Sequence, residues 1–340
     1  AQYEKVGIDF LLGQRVTAID RNNKTVTLSK GETFAYDKLA LTTGSHPRTL
    51  PATIGGMLDG VFSVRDLKDA DAMAPAFTAG KKVLIIGGGY IGLEAAAVAS
   101  KLGLHVTLVE MGERILQRVA APQTSDYFRA LHKAHGVDIR EGVGLDRLLG
   151  DDHVTGAKLT DGSELDIDFA IVGVGIEPAT VLADAAGVTV DTGIVTNALG
   201  QTSDPHIWAA GDCATALFNG TQIRVESVGN AIDQAEIVAK NMLGANTPYL
   251  PAPWFWSDQY DCKLQIAGLN VGYTDVYVRK GDAEGAVSHW YYKGEELIAV
   301  DAMNDARNYM IGKRLIEGGK SPAPSIITDP ATDMKALLRA

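Results

Sequence analysis

Short apolar runs separated by turn residues are the dominant pattern along this chain. Val83–Ile86 form a continuous apolar run, which is typical of a strand buried on both faces of a parallel sheet. The stretch that follows is rich in alanine, a strong helix former, and His105–Val109 predict the next strand. The pattern therefore predicts a strand–helix–strand unit.

A second pattern occurs twice. Leu28–Gly44 reads LSKGETFAYDKLALTTG and Leu159–Gly175 reads LTDGSELDIDFAIVGVG, so each copy is a hairpin followed by an apolar strand that ends on glycine. This repeat indicates two domains built to one plan, and chance recurrence in an α/β protein is the alternative. On the spacing of the second copy, the glycine turn of the first would fall before residue 1. We therefore expect the chain to begin partway into its first domain.

The pattern changes toward the C-terminus. Three prolines mark a boundary at Pro248, Pro251 and Pro253. Beyond them, segments such as VGYTDVYVRK and AVSHWYYKGEELIAVDAM alternate polar and apolar residues. This alternation predicts an antiparallel sheet, with a helix near the end of the chain.

Composition narrows the classes of protein to consider. At 340 residues the chain is too long for one compact core, so two or three domains are expected. A formal net charge of −11 argues against nucleic-acid binding, which needs a basic surface. Cys213 and Cys262 form no C-x-x-C pair and the histidines show no metal-ligand spacing, so we expect no metal or disulfide framework. No apolar run suits a membrane span and the first residues do not resemble a signal peptide, which predicts a cytoplasmic location.

The turn after the first apolar run carries the strongest chemical signal. Gly87, Gly89 and Gly92 form a Gly-x-Gly-x-x-Gly turn, in which the glycines allow a tight turn, close approach of a pyrophosphate and close helix packing. Glu110 follows at close to the roughly 20 residues expected for an acid that binds an adenosine ribose. Such a carboxylate repels the 2′-phosphate of NADPH, so the motif predicts an NADH site. A solvated strand-end carboxylate is the alternative for Glu110.

Further motifs follow in a fixed order. After GGGYIGLE at Gly87–Glu94 come TSDPHIWAAGDCA at Thr202–Ala214, a helical pattern that opens near Val228, and APWFWSDQYDCKLQIAGL at Ala252–Leu269. Together they resemble the flavin-dependent ferredoxin reductases that feed cytochrome P450 and ring-hydroxylating oxygenase systems, of the putidaredoxin reductase and rhodocoxin reductase type. The resemblance covers essentially the whole chain.

The resemblance implies an α/β fold with two Rossmann-like dinucleotide-binding domains of the glutathione-reductase-like type and a C-terminal α+β domain with an antiparallel sheet. The expected division is an FAD-binding domain at residues 1–54 and 179–247, an NAD-binding domain at 55–178 and a C-terminal interface domain at 248–340. The glycine-rich FAD turn with which this family begins is not in the sequence.

The resemblance also implies which residues lie beside FAD. They are Val16, Thr43, Gly44, Arg48, Gly211, Asp212, Val228 and Trp256. In the family, the acid at the position of Asp212 binds the ribityl chain, the residue at Val16 packs on the adenine, and a backbone group near Val228 reaches the pyrimidine edge of the flavin. The alternatives are a capping role for Asp212, an ordinary buried strand position for Val16, and core packing for Trp256 with Trp254.

The residues implied for NADH are Gly87, Gly89, Ile91, Gly92, Glu110, Gly173, Gly175 and Glu177. Glu94 corresponds to the acid that lies by the nicotinamide ring in this family, and Tyr90 would border the same pocket. Glu94 and Tyr90 are therefore the predicted catalytic residues. The alternative for Glu94 is a first-turn glutamate that only complements the helix dipole.

The activity that follows from the resemblance is that of an FAD-dependent NADH:ferredoxin oxidoreductase, which passes electrons to a [2Fe–2S] ferredoxin. The region from Pro248 onward is closer to charge balance than the rest of this acidic chain, which suits docking of an acidic ferredoxin. Arg224, Lys263 and Lys335 are the candidate docking residues. Another NADH-dependent flavoprotein, such as an NADH oxidase or a disulfide reductase, and a non-catalytic dinucleotide sensor are the alternatives.

Overall fold

The computed structural model describes residues 4–218 and 220–339, so residues 1–3, 219 and 340 of the predicted domains lie outside the described residues. The strands are β1 (Val16–Asp20), β2 (Thr25–Leu28), β3 (Thr33–Ala35), β4 (Leu39–Leu41), β5 (Ser45–Pro47), β6 (Val61–Ser63), β7 (Lys82–Ile86), β8 (His105–Glu110), β9 (Asp138–Glu141), β10 (Leu145–Leu149), β11 (Gly156–Leu159), β12 (Glu164–Asp166), β13 (Phe169–Val172), β14 (Ile176–Pro178), β15 (Ile207–Ala209), β16 (Ala216–Phe218), β17 (Thr221–Ile223), β18 (Trp254–Gln259), β19 (Cys262–Gly268), β20 (Asp275–Lys280), β21 (Val287–Lys293) and β22 (Glu296–Met303). The α-helices are α1 (Leu67–Met73), α2 (Tyr90–Lys101), α3 (Pro122–Ala134), α4 (Val181–Ala185), α5 (Val228–Met242), α6 (Ala306–Glu317) and α7 (Pro324–Thr328). None of the helices in these described ranges is long and apolar enough to cross a membrane.

The chain groups into two compact units. The first contains the residues up to Ser45 together with Pro178–Pro251, and the second contains His46–Glu177 together with the residues from Ala252 onward. Each unit combines strands with helices, as the predicted α/β fold requires. The finer division into FAD-binding, NAD-binding and C-terminal domains stays a prediction.

A parallel strand pair runs through the core of the first unit. β4 and β15 lie side by side with Leu41 opposite Ala209, and both of these residues are buried. Ile207 and Cys213 belong to the same buried apolar cluster. Because parallel strands end at the same edge, the residues that follow Leu41 and Ala209 come together there.

A five-stranded parallel sheet forms the first part of the second unit, in the order β6-β13-β7-β8-β9. Val83 and Ile85 of β7 belong to one buried cluster, and Leu84 and Ile86 belong to another. Since alternate residues of a strand point to opposite faces, β7 is buried on both faces, as its apolar run predicts. The predicted strand–helix–strand unit is confirmed as β7, α2 and β8.

An antiparallel sheet follows in the same unit, in the order β18-β19-β22-β21-β20, with α6 packed on β22. The prediction of an antiparallel sheet with a late helix is confirmed. Leu264 of β19 and Met303 of β22 share a buried cluster with Leu93 of α2. The helix that follows the glycine turn is thus packed against the C-terminal sheet.

The sequence repeat corresponds to two meanders with the same irregularity. β1–β2–β3 and β10–β11–β12 are both three-stranded antiparallel sheets. In each the register shifts directly after the first pair, which is Val16 opposite Leu28 in one and Leu145 opposite Leu159 in the other. The shared bulge supports one plan for two parts of the chain. Because the bulges lie before Leu28 and Leu159, the structural similarity of the two parts begins upstream of the repeated sequence.

Candidate nicotinamide and flavin sites

The carboxyl ends of β7 and β13 carry two glycine segments that touch. The strands are parallel neighbours, with Ile86 opposite Val172. The Gly173 N–H donates to the Ile86 carbonyl over 2.8 Å. Gly87 has a φ of +108°, and a Cβ there would lie 2.4 Å from the Gly173 carbonyl oxygen. Gly87 must therefore be glycine, and the two predicted NAD segments form one backbone edge.

Gly89 and Gly92 differ in what the absence of a side chain allows. Gly89 is the N-cap residue of α2, and a Cβ there would meet nothing within 4 Å. A Cβ on Gly92 would lie 2.1 Å from the Gly87 carbonyl oxygen, so this glycine lets the helix pack on the turn. Open space beside Gly89, next to helix N–H groups that have no intrahelical acceptor, suits a pyrophosphate. Ile91 lies on the same first turn and is 47% exposed.

Glu110, at the end of β8, is tied into the glycine turn. Its Oε2 accepts the Gly88 N–H and its Oε1 accepts the Gly112 N–H, each over 2.7 Å. A carboxylate offers about four acceptor positions, so capacity remains for ribose hydroxyls. Glu110 is half-buried and is not the freely solvated carboxylate of the alternative interpretation. The same group can order the turn and bind a ribose.

Arg48 contacts the second glycine segment. Its N–H donates to the Gly175 carbonyl over 2.9 Å, and its Nε lies 3.8 Å from Glu177 Oε1. Both charged side chains are more than half exposed, so this ion pair contributes little to stability. Nη2 of Arg118 lies 3.7 Å from the place of a Cβ on Gly175. Two guanidinium groups therefore lie by a segment predicted to bind a dinucleotide.

Glu94 and Tyr90, the predicted catalytic residues, lie in the first part of α2 and contact β18. Ser257 Oγ donates to Glu94 Oε1 over 2.5 Å, and the Tyr90 ring lies 4.9 Å from that of Phe255 between centroids. Burial raises the pKa of the Glu94 carboxyl, the hydrogen bond from Ser257 lowers it, and the charge of Asp258 raises it, so that the pKa is above its ordinary value. Glu94 thus has a specific partner, which a glutamate serving only the helix dipole would not need.

The Tyr90 hydroxyl is buried, and within the described part of the chain it has no hydrogen-bond partner. Burial raises its pKa well above the ordinary value for tyrosine, with smaller effects from Asp301 and Tyr291. A buried hydroxyl without a partner costs about 1–3 kcal/mol, so such a group is a candidate for contact with a ligand or a water molecule.

The carboxyl ends of β4 and β15 form a second edge, in the first unit. Ser45 Oγ donates to Asp212 Oδ2 over 3.0 Å. Gly44 and Gly211 both have positive φ, +68° and +81°. The structure thus brings Thr43, Gly44 and Ser45 together with Gly211 and Asp212, although β4 and β15 are far apart in the sequence.

The N-terminal half of α5 lies at this second edge. Gln234 Oε1 accepts the Gly211 N–H over 2.9 Å, and a Cβ on Gly211 would lie 3.6 Å from the Cβ of Ala231. The helix begins at Val228, as the sequence predicts, with Ser227 as its N-cap. Val228 is 57% exposed, so its backbone is accessible at the helix start.

Two residues predicted for FAD lie on other sheets. Val16 is half-buried at the start of β1, opposite Leu28. Trp256 lies on β18 in the second unit, is 38% exposed, and stacks on Trp254 with ring centroids 5.4 Å apart. Their place beside FAD stays a prediction, as does that of Arg48.

The residues present fit both cofactors. The edge at Gly44 and Asp212 combines a half-buried carboxylate, positive-φ glycines and a helix N-terminus, which suits the ribityl chain and the pyrimidine edge of a flavin. The edge at Gly87 and Gly89 leaves open space beside the Gly89 backbone, which a side chain would occupy and which suits a pyrophosphate. No group of three or more His, Cys, Asp or Glu within the described ranges is placed to hold a metal ion.

The three candidate docking residues differ in accessibility. Lys263 is 55% exposed, with its Nζ 3.3 Å from Asp258 Oδ1, and Lys335 is exposed. The Arg224 side chain is only 18% exposed and is paired with Glu226. Arg224 is therefore a weaker candidate than the two lysines.

Some residues at these edges were not predicted. No sequence motif singles out Gln234 or Arg118. They approach Gly211 and Gly175, respectively, only through tertiary packing. Ser257 did carry a signal: in the motif WSDQ it alternates with Gln259, so both point to the same face of β18, away from the exposed Asp258. Two buried polar residues on one strand face call for partners.

Two family models match the chain. One is that of the pyridine nucleotide-disulphide oxidoreductases, over residues 1–235, and the other describes the reductase C-terminal region, over residues 254–338. Together they span both units.

Individual relatives match nearly the full chain. It is 39% identical to putidaredoxin reductase of Pseudomonas putida, over 99% of this chain and 82% of the relative. It is 36% identical to rhodocoxin reductase of Rhodococcus erythropolis, over 97% of this chain and 78% of the relative. A rubredoxin-NAD(+) reductase of Pseudomonas putida is also 36% identical, over 89% of this chain and 79% of the relative.

Solved structures agree with these relatives. The covalent putidaredoxin reductase–putidaredoxin complex matches with a TM-score of 0.94 at 38% identity, over 99% of this chain and 83% of that one. A ferredoxin reductase from Rhodopseudomonas palustris matches with a TM-score of 0.94 at 37% identity, over 98% and 83%. The predictions of the fold class, of the family, and of FAD and NAD(H) as cofactors are confirmed. The chain belongs to the pyridine nucleotide-disulphide oxidoreductase family and, within it, to the FAD- and NAD(H)-dependent ferredoxin reductases.

Proposed function

We propose that this ferredoxin reductase takes electrons from NADH and delivers them through FAD to a [2Fe–2S] ferredoxin, which serves a cytochrome P450 or a ring-hydroxylating oxygenase in the cytoplasm. The observation that carries the proposal is the pair of strand edges, one at Gly87 and one at Gly44, each formed by parallel strands and contacted by the N-terminal half of a helix. We also propose the domain organisation given by the sequence, with the NAD-binding domain at 55–178 inserted into the FAD-binding domain.

The residues of the first unit would hold the flavin. Bound FAD supplies acceptance of a hydride and release of single electrons, which no side chain of the protein can do. Asp212 accepts hydrogen bonds from ribityl hydroxyls, and Ser45 fixes one of its oxygens. The N-terminus of α5 at Val228 steadies negative charge at the pyrimidine edge. Thr43, Gly44 and Gly211 bring backbone close to the flavin.

The residues of the second unit would hold NADH. The turn Gly87–Gly92 binds the pyrophosphate at the start of α2, and Glu110 binds the adenosine ribose. The segment Gly173–Glu177 adds a second backbone surface. Glu94, Tyr90 and Ile91 would border the nicotinamide ring, exclude water and fix the orientation of the ring.

A rubredoxin is the second candidate for the electron acceptor. The observation in its favour is the similarity to a rubredoxin-NAD(+) reductase, at 36% identity. Ferredoxin is preferred because the covalent complex that matches with a TM-score of 0.94 contains putidaredoxin.

Anaerobic absorption spectroscopy of the purified intact protein tests the proposal. We expect a flavin band that bleaches on addition of NADH. With cytochrome c as the final acceptor, reduction should be fast only when a [2Fe–2S] ferredoxin is added. Equally fast reduction with rubredoxin alone would favour the second candidate. Fast reduction of oxygen or of a disulfide without any carrier protein would count against both.

A further inference from the structure

Four polar side chains, those of Ser257, Gln259, His132 and Tyr260, form a series of hydrogen bonds that ends at Glu94. Ser257 Oγ donates to Glu94 Oε1 over 2.5 Å, and Gln259 Nε2 donates to Ser257 Oγ over 3.0 Å. Gln259 Oε1 lies 2.8 Å from His132 Nε2, and His132 Nδ1 lies 3.3 Å from the Tyr260 hydroxyl. Ser257, Gln259 and His132 are all fully buried. The chain runs from α2 through β18 to α3, within the second unit.

The hydrogen bonds in this series all run in one direction, with each donor on the side of Tyr260 and each acceptor on the side of Glu94. The carbonyl oxygen of Gln259 can only accept, so His132 Nε2 must carry a hydrogen. Burial lowers the pKa of His132, so the ring is neutral near pH 7 and its Nδ1 is left as an acceptor for the Tyr260 hydroxyl. Each group therefore donates to the next, and the last acceptor is Glu94 Oε1.

A series of hydrogen bonds that all run toward Glu94 stabilises the negative charge of its carboxylate. Hydrogen bonds in series polarise one another, so the bond from Ser257 to Glu94 is stronger than an isolated hydroxyl would make. It favours the ionised carboxylate against the effect of burial, and it fixes which oxygen faces β18. An amide does not readily relay protons, so Gln259 makes this chain a means of positioning. The charged group that opposes it is Asp258, which is exposed and lies 3.3 Å from Lys263 Nζ.

We propose that Ser257, held by Gln259 and His132, is a positioning residue that keeps the Glu94 carboxylate ionised and in one orientation beside the nicotinamide ring. The inference rests on the proposed place of Glu94 at that ring. It explains why Ser257 and Gln259 are polar, since burying them in an otherwise apolar interface would be costly without such partners.

The consequence for ligands is a preference between the two forms of the coenzyme. The oxidised nicotinamide ring is a cation, whereas the reduced ring is neutral. An ionised Glu94 attracts the cation, so NAD⁺ should bind tightly above the midpoint of Glu94 ionisation and about tenfold more weakly below it. Binding of NADH should depend much less on this ionisation.

Calorimetric binding of NAD⁺ to the oxidised holoprotein, measured across pH, tests the inference without any turnover. Ser257→Ala removes the final donor, so the midpoint of the pH dependence should move up by about one pH unit. Ser257→Thr keeps a hydroxyl and should return the midpoint toward that of the wild type. Gln259→Met removes only the donor behind Ser257 and should shift the midpoint in the same direction by less.

Two further variants separate this inference from the proposed function. Ser288→Ala removes another buried serine of the same sheet, which contacts Trp290 and Arg279, and should leave the midpoint unchanged. Glu94→Gln should abolish the pH dependence. If Glu94→Gln behaves as the wild type does, the place of Glu94 at the nicotinamide is wrong. If Glu94→Gln flattens the profile but Ser257→Ala does not shift it, the place of Glu94 stands and the role of Ser257 is overturned.

Discussion

Asp301 and His289 share one buried hydroxyl. Thr124 Oγ1 donates to Asp301 Oδ2 over 2.7 Å and lies 2.8 Å from His289 Nδ1. Because the hydroxyl hydrogen is used on Asp301, the neutral His289 must donate from Nδ1. Burial raises the pKa of Asp301 to about 6 and lowers the pKa of His289 to about 4. At intermediate pH both groups are neutral in the folded protein.

These two shifts affect stability with opposite signs. Between pH 4 and 6 the unfolded chain has an ionised Asp301 and a protonated His289, unlike the folded protein. Asp301 alone makes the free energy of unfolding fall by about 1.4 kcal/mol for each unit that the pH rises, and His289 alone makes it rise by the same amount. In His289→Gln only the Asp301 effect remains. We expect its stability, relative to the wild type, to fall as the pH rises from 4 to 6.

Urea unfolding at several pH values measures this difference. Asp301→Asn is the matched variant, and its stability relative to the wild type should rise over the same range. If the free energy of unfolding of either variant changes with pH as that of the wild type does between pH 4 and 6, the two groups do not have the opposed pKa shifts described.

For individual residues, the sequence predicted which side chains matter but not which groups they contact. Glu94 and Glu110 were predicted because a local motif carries them, and each was found with a carboxylate tied to backbone or hydroxyl donors. The group around Thr124 was not predicted, because α3 meets β21 and β22 only through packing between distant parts of the chain. Single buried polar residues have no periodicity that would point to such a meeting.

The element that begins at Gly89 offers a matched pair of substitutions. Gly92→Ala would place a Cβ 2.1 Å from the Gly87 carbonyl oxygen, whereas Gly89→Ala would meet no protein atom within 4 Å. We therefore expect Gly92→Ala to lower the free energy of unfolding by about 2 kcal/mol and to weaken NADH binding. Gly89→Ala should keep the stability and weaken NADH binding by about tenfold, because the added methyl would occupy the space that we propose for the pyrophosphate.

Thermal unfolding and NADH fluorescence titration of both variants give the two quantities separately. Gly80→Ala, at an exposed turn, is not a suitable control. Gly80 has a φ of +84°, so any side chain there would itself strain the backbone. Ala95→Ser, on the same helix, changes a partly buried side chain without touching the turn. Unchanged NADH binding in Gly89→Ala would contradict the placement of the pyrophosphate.

Whole elements were predicted where the pattern was long or strongly apolar. β7 and β8 begin and end close to the predicted positions, α2 follows the glycine turn as predicted, and α5 begins at Val228 as predicted. Three-residue strands such as β14 (Ile176–Pro178) and the five-residue helix α4 (Val181–Ala185) are too short to show a period, so the sequence did not predict them. The bulge shared by the two meanders was hidden as well, because it appears only when strands are paired.

The net charge of −11 poses a problem for binding an acidic partner. An acidic protein is repelled by the molecule as a whole, so docking needs a local positive region. Lys263→Glu and Lys335→Glu should each raise the KM for ferredoxin by about 3- to 10-fold at low ionic strength, and the effect should shrink near 0.5 M salt. Steady-state kinetics at two salt concentrations measure this change.

Lys30→Glu makes the same charge change on an exposed turn of the first unit and serves as the control. Reduction of ferricyanide, a small acceptor, should be unaffected in all three variants. If Lys30→Glu raises the KM as much as the other two do, the effect belongs to net charge and the docking assignment fails.

The stacked rings of Trp254 and Trp256 give the molecule an internal optical label. Two indoles with centroids 5.4 Å apart and planes inclined by 21° are close enough for their electronic excitations to couple, and coupling between skewed transition dipoles gives two circular-dichroism bands of opposite sign. β18 carries both indoles together with Ser257 and Gln259. A rearrangement of that strand when coenzyme binds would therefore change the spectrum of the unlabelled protein, and it could be followed in real time without any added dye.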